Sequence, residues 1–306
     1  HIVTDILKDS LHFKGLIYTD ALEMKGVSNY SDPGDIDLAA FQAGNDVLLI
    51  SEDVPKAIGK IIEAYNSGDI SEERLAHSVK KILQAKYKVG LNNFKPIETE
   101  HLIEDLNRIQ DVMLSEVIFE NAITVMKNKE DLLPIRKFEE KKIAYVKMGD
   151  DNGSVFLKEL QKYTKVHEVA SENLDELLAK LSAYNTVIVG FHRSNEHPWK
   201  SHEFSNQELT WLYEIARTNN VILDIFVKPY ALIDLATVEN FESIVVSYQN
   251  SEIAQQKSAQ LIFGAITSNG ALPVSVGNGF NAGDGIHYAN LSRLNYGVAE
   301  RVGMST

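Results

Sequence analysis

Along this chain, short unbroken apolar runs alternate with longer stretches in which apolar residues recur every three or four positions. That is the pattern of buried strands separated by amphipathic helices. "GLIY" (15–18) reads as the first strand, and "DLAAFQAGNDVLLIS" (37–51) reads as a helix, a stop at Gly44-Asn45 and a second buried strand. Together they predict a β–α–β unit with parallel strands. "DVPKAIGKIIEAYNSGDI" predicts a helix closed by Ser67-Gly68. In "SEERLAHSVKKILQAKYKVGL" a helix opens at Ser71, sets Leu75, Val79, Ile82 and Leu83 on one face, and ends at Gly90.

The rhythm breaks at "NNFKPIETE" (92–100), a polar stretch around Pro96, and resumes in "LNRIQDVMLSEVIFENAITVMK" (106–127) as one long amphipathic helix. Five apolar runs then follow: "KKIAYVKMG" (141–149), "KVHEVA" (165–170), "TVIVGFH" (186–192), "NVILDIFV" (220–227) and "SIVVSYQ" (243–249). Helical segments such as 205–218 lie between them. This alternation predicts a mainly parallel sheet covered on both faces, an α/β/α sandwich. The expected organisation is a first unit over 1–91, a linker and connecting helix over 92–118, the sandwich over 119–290, and a connector over 291–306 too aperiodic to add a core element.

Composition narrows the partners more than the fold. The 306 residues carry a net charge of −13 and no long Lys/Arg run, a field that repels a phosphate backbone, so nucleic acid is not an expected partner. The absence of cysteine excludes disulfides, zinc–thiolate sites and thiol catalysis. No apolar stretch approaches the roughly 20 residues of a membrane-spanning helix. The chain opens on His1 without a signal-peptide pattern, which suggests a processed start or a fragment.

Asp20 is the leading chemical candidate, because parallel strands of barrels and open α/β sheets deliver catalytic side chains at their carboxyl ends. A carboxylate there can act as base, nucleophile or metal ligand. The same residue, with Glu23 three positions on, also fits the N-cap of a helix "ALEMKGV", and spacing leaves both readings open. "FHRSNEHPWKSHEF" offers His192, His197 and His202, but their five-residue intervals match no common zinc spacing, and a polar surface loop accounts for them. Trp199 with Arg193 could stack on a sugar or a partner. "SNG" (268–270) reads as a turn into a final strand, "ALPVSV", and "GNGFNAGDG" (277–285) as a flexible loop.

Taken in order, several of these segments resemble glycoside hydrolase family 3, most closely its β-N-acetylglucosaminidase branch. "FKGLIYTDALEMKGV" is similar to the strand-seven segment of that family's (β/α)8 barrel, and "AFQAGNDVLLIS" to its eighth strand. "YNSGDISEERLAHSVKKILQAKYKVGL" is similar to the helices that close the barrel, "ENAITVMKNKEDLLPI" to the entry into the second domain, and "AQLIFGAITSNGALPVSV" to its closing helix, turn and strand. The resemblance covers about residues 10–280. It implies a truncated barrel remnant, the last two strands and closing helices, followed by the α/β/α sandwich.

The resemblance also implies a retaining mechanism with Asp20 as nucleophile, Met24 as a substrate-binding residue within the branch-like "MKGV", and no metal or organic cofactor. The implied substrate is a glycan bearing terminal β-linked N-acetylglucosamine. Cell-wall turnover is the branch's expectation, which favours a periplasmic or extracytoplasmic setting. The branch's His acid/base sits on an earlier Lys-His…Gly-His segment that has no counterpart here. Only fourteen residues precede Gly15, so six strands of a barrel of about 250 residues cannot fit, and the chain reads as part of a larger enzyme that lacks its upstream barrel segment. An uncovered remnant would favour self-association. "RLNYGVAERVGMST" resembles linkers into a further hydrolase domain. Two alternatives remain: a non-catalytic accessory or interaction module, and a β-glucosidase of the same family.

Overall fold

The computed structural model describes residues 1–197 and 199–304, and the chain divides into two compact units, His1–Glu100 and His101–Thr306. The first opens with a π-helical segment, Ile2–Ser10, followed by β1 (Tyr18–Ala21), α1 (Lys25–Ser28), α2 (Asp35–Ala43), β2 (Val47–Leu49), α3 (Val54–Ser67) and α4 (Glu72–Lys88). β1 and β2 pair in parallel, as the alternation predicts. The first strand nevertheless begins three residues later than "GLIY", because the Ile17 carbonyl already accepts both the Asp46 and Val47 amides, and ladder pairing starts beyond it.

Local chemistry sets the helix ends. Gly44 at φ 117° turns the chain out of α2, a conformation that L side chains rarely adopt. Asp53 and Ser71 cap α3 and α4 by accepting the amides of Lys56 and Arg74.

The inward stripe of α4 differs from the apolar face that the sequence predicts. Leu75 and Ile82 are half-buried, while Val79 and Leu83 face solvent. Beside these two half-buried apolar residues run Arg74, Ser78 and Lys81, at i, i+4 and i+7. They converge on Asp46, whose side chain is buried. Asp46 Oδ1 accepts the Ser78 hydroxyl at 2.6 Å, and Oδ2 accepts Lys81 Nζ at 2.6 Å and the Ile17 amide at 3.1 Å. Arg74 donates to the carbonyls of Phe41 and Asn45 at 2.8 and 2.6 Å and lies over the Phe41 ring. One carboxylate thereby joins the starts of both strands to the closing helix.

The second unit runs α5 (Leu102–Leu106), α6 (Ile109–Ala122), β3 (Thr124–Asn128), β4 (Ile143–Met148), α7 (Ser154–Gln161), β5 (Val166–Glu168), α8 (Leu174–Leu181), β6 (Thr186–His192), α9 (Asn206–Thr218), β7 (Asn220–Phe226), β8 (Ser243–Val246) and α10 (Glu252–Ile262). Its six strands lie in the order β3-β8-β7-β6-β4-β5; every pair is parallel except β3 with β8. Alternate residues serve opposite faces. Val187, Val189 and Phe191 pack with Leu177, Leu181, Leu212 and Ile215 of α8 and α9, whereas Ile188, Ile222 and Phe226 pack with Phe156, Leu160 and Ile262 of α7 and α10. Each fully buried side chain of this kind contributes about 1.5–3 kcal/mol, which is why the strands read as continuous apolar runs.

Two expectations are corrected here. The long helix read over 106–127 stops at Ala122, and Thr124–Asn128 becomes β3, whose β-branched Thr124 and Val125 fit a buried edge ladder against β8. No strand forms over 271–276. Pro273 has no amide to donate, and Leu272 and Val276 bond instead to the adjacent loop at Asp284 and Phe280.

The stretch after 290 is bound to the sandwich by charge. Fully buried Lys257 lies 2.9 Å from Glu120 and 3.5 Å from Glu116, and donates to the Tyr296 carbonyl at 3.1 Å; Arg301 pairs with both glutamates. Two cations and two carboxylates balance, as a buried cluster requires.

Two further titratable groups are buried in this sheet. His192 is stacked on Phe226, and burial lowers its pKa to about 4. Asp224, held by the hydroxyls of Ser247 and Ser258, is raised by burial to about 7. Unfolded His192 binds a proton first, so its contribution to stability is lost as pH falls from about 6.5 to 4. Asp224 acts oppositely: its contribution is lost as pH rises from about 4 to 7. The two slopes offset in wild type, and Asp224→Asn should leave a stability that climbs between pH 4.5 and 6.5. Urea unfolding followed by tryptophan emission reads this unit, which holds both Trp199 and Trp211; a wild-type-like flat profile in the variant contradicts the assignment.

Asp46 supplies the second prediction. Burial works to raise its pKa, but the hydrogen bonds from Lys81, Ser78 and Ile17 prevail and hold it below the ordinary value. Its stabilisation is therefore present at neutral pH and lost as pH falls below about 4. Asp46→Ala leaves Lys81 and Arg74 without their anion and should cost about 3–5 kcal/mol, read as lost amide-exchange protection within residues 1–100. Unchanged protection contradicts it.

Candidate active site

Asp20 lies within β1, one residue before its end, and its side chain is exposed. The register explains how it is presented. Tyr18 pairs with Val47 and Ala21 with Leu49, so β1 spends one residue more than β2 over the same interval. A bulge of this kind bends the strand and re-aims its side chains. It also leaves the Leu49 amide without a backbone partner in the ladder, and Thr19 fills the gap: its Oγ1 accepts that amide at 2.9 Å. Beyond the bulge the ladder resumes, with the Leu22 amide donating to the Leu49 carbonyl at 3.0 Å. Thr19 therefore closes the irregularity that turns Asp20 outward.

The carboxylate is itself oriented. Oδ1 accepts the Ala21 amide at 2.8 Å, and the second oxygen has no hydrogen-bond partner among the described residues. One oxygen fixed and one open is an arrangement suited to nucleophilic attack or to accepting a proton. The helix-capping alternative is not what the structure contains: α1 begins at Lys25 with Met24 in the cap position, and neither Asp20 nor Glu23 caps it. Met24 follows in a turn whose amide reaches the Ala21 carbonyl at 3.3 Å, and its side chain is half exposed.

The three histidines are not brought together. His192 ends β6 in the interior, where Nδ1 and Asn250 Oδ1 are 2.6 Å apart and Nε2 and the Tyr145 hydroxyl 2.8 Å apart. Asn250 Oδ1 also accepts from Gln255, so Nδ1 of the neutral ring donates to it and Nε2 accepts from Tyr145. Gly190 and Gly153 make room for the ring; a Cβ on either would approach Nε2 within 2.4 and 2.7 Å. The polar-loop reading thus fails for His192, which is a core residue. His197 is exposed and stacks on Trp199, while His202 meets the ring of Tyr230. No group of three or more metal-ligating side chains occurs among the described residues.

The glycine-rich stretches are structural. At 268–270 the Ser268 backbone bridges to Tyr288 and Gly270 packs against the Ile123 carbonyl, where a Cβ would come within 2.3 Å. At 277–285, the Asn278 side chain donates to the Leu235 carbonyl at 3.1 Å. Sequence reasoning missed the Asp46 cluster that sets the strand carrying Asp20. The signal was the spacing of Arg74, Ser78 and Lys81, which reads as a solvated face until an acid is placed beneath it.

With this geometry in place, likeness to known proteins becomes informative. Residues 1–85 match the glycosyl hydrolase family 3 N terminal domain. A probable beta-glucosidase C of Aspergillus flavus is 25% identical over 297 residues, covering 92% of this chain and 44% of that protein. Beta-hexosaminidase A of Pseudoalteromonas piscicida is 26% identical over 175 residues, covering 54% of this chain and 28% of that protein. The chain thus spans less than half the length of these curated relatives. Among solved structures, a glycoside hydrolase family 3 beta-N-acetylglucosaminidase from Paenibacillus sp. str. FPU-7 superposes with a TM-score of 0.63 at 21% identity, covering 89% of this chain and 53% of that one, a likeness of fold. The likeness to glycosyl hydrolase family 3 is thus a match over residues 1–85, with relatives named as glycosidases extending over longer spans.

Proposed function

We propose that this chain is part of a retaining glycosidase in which Asp20 is the nucleophile. The observation that carries the reading is the bulge at Thr19-Asp20, which turns an exposed carboxylate out near the end of a parallel strand, inside the segment that matches the family model. The open oxygen of Asp20 attacks the anomeric carbon while an acid protonates the departing oxygen. The glycosyl ester is then hydrolysed by water, with the acid's conjugate base taking the water's proton. The acid/base residue in this reading comes from upstream barrel loops that this sequence does not contain.

The first unit is, in this reading, the last two β/α pairs of an eight-stranded barrel. Ile58 and Ile62 of α3 and Val79, Leu83 and Tyr87 of α4 are exposed, apolar surface that a neighbouring barrel element would cover. The lengths of the relatives support the same view. The substrate is a glycan with a terminal β-linked N-acetylglucosamine, with Met24 beside the nucleophile contacting the sugar. The hexosaminidase relative and the "MKGV" segment support this choice. Glucosidase relatives also match, so the β-glucoside is the competing substrate.

Release of an aryl leaving group from the N-acetyl-β-glucosaminide and from the β-glucoside, by the full-length enzyme and by this chain, tests the proposal. Asp20→Asn in the full-length enzyme should lower turnover by about 10^3-fold or more while folding is kept. The N-acetylglucosaminide should be preferred, and the chain alone should match buffer. Normal turnover in the variant overturns the role of Asp20. Turnover by the chain alone, lost in its own Asp20→Asn, would place the acid/base within these residues.

A further inference from the structure

In the parallel part of the second unit's sheet, β4 is flanked by β5 on one side and β6 on the other, so the chain leaves the β4/β6 boundary in opposite directions. Crevices at the carboxyl ends of strands beside such a reversal are the usual ligand sites of open α/β sheets. The loops that follow β4 and β6 meet here: Arg193, after β6, lies 3.4 Å from Asp150, after β4.

The β6–α9 loop presents an unusual residue. Trp199 is 81% exposed, although large aromatic side chains ordinarily dominate buried surface. The His197 ring lies parallel to the indole, with 3° between planes and centroids 5.5 Å apart. The loop is held at both ends. Asn195 Oδ1 accepts the Asn250 amide at 2.7 Å, Arg193 donates to the Glu203 carbonyl at 3.1 Å and to Glu208 at 2.7 Å, and Phe204 stacks on Phe191 at 3.7 Å. The sequence neighbours Glu196, Lys200 and Ser201 are exposed, so hydrogen-bonding groups of both charges flank Trp199 along the loop.

We infer that Trp199, braced by His197, is a stacking platform for a pyranose ring of a β-linked glycan. A sugar has the required dual character: one face of C–H groups for the indole and a rim of hydroxyls for Glu196, Lys200 and Ser201. An apolar protein partner would instead call for a contiguous apolar surface. The choice of a β-linked glycan rests on the glycosidase reading; the platform is a binding site in its own right and needs no turnover to be observed.

Tryptophan emission tests it, with N-acetylglucosamine oligomers and glucose oligomers as probes and Trp211 as the remaining fluorophore. Wild type should show a saturable blue shift or quench with at least one β-linked series. Trp199→Ala, at an exposed position, should remain folded and weaken binding, measured calorimetrically, by about fivefold or more. Trp199→Tyr should retain part of it. Equal binding by wild type and Trp199→Ala, or no saturable response to either series, overturns the platform. Loss of the full-length enzyme's hydrolysis in Asp20→Asn alongside unchanged binding of this chain in Trp199→Ala would reject the platform and leave the glycosidase reading standing. Binding by this chain lost in Trp199→Ala alongside full hydrolysis by the full-length Asp20→Asn enzyme would do the reverse.

Discussion

A buried carboxylate that must be neutralised organises the unit carrying Asp20. Asp46 cannot be left alone in an apolar setting, and the fold surrounds it with the Ile17 amide, the Ser78 hydroxyl and the Lys81 ammonium. The donors come from the approach to β1 and from α4, and Asp46 itself precedes β2, so satisfying the charge also fixes the approach to β1, the start of β2 and the inward face of α4. The position of Asp20 follows from that: three residues after Ile17 the strand bulges, Thr19 takes up the freed amide, and the next side chain points out. A small two-stranded unit with few buried apolar residues thereby holds Asp20 in place through polar contacts.

The second unit depends on apolar burial on both faces of its sheet, yet it too contains polar sites in the interior. His192 and Asp224 are each matched to specific donors and acceptors, and their opposed titrations leave little net pH dependence across mildly acid conditions. Lys257 and Arg301 with Glu116 and Glu120 do for the segment after 290 what Asp46 does for α4. In both units, clusters of buried charge join segments far apart in sequence.

How much of this was legible in the sequence varied with the physics involved. The four central strands, β4, β6, β7 and β8, were readable because burial on both faces forces unbroken apolar runs. β3 was not, since "ITVMK" continues a helical apolar spacing and only pairing with β8 makes it a strand. The strand expected over 271–276 failed because Pro273 and a nearby loop redirected its hydrogen bonds. Asp20 could be found from its place after an apolar run, but its presentation depends on a register shift that no local pattern reveals. His192 reads as part of a polar surface loop because the sequence does not show that Tyr145 and Asn250 enclose it. Arg74, Ser78 and Lys81 looked solvated because the acid they serve lies about thirty residues earlier.

The most direct test of the central claim is to trap the intermediate. The full-length enzyme, incubated with an activated 5-fluoro N-acetyl-β-glucosaminide or 2-fluoro β-glucoside, should gain the mass of one glycosyl residue, and peptide mapping should place the ester on Asp20. An ester on another residue, or hydrolysis that proceeds through no adduct and survives Asp20→Asn, would contradict the account.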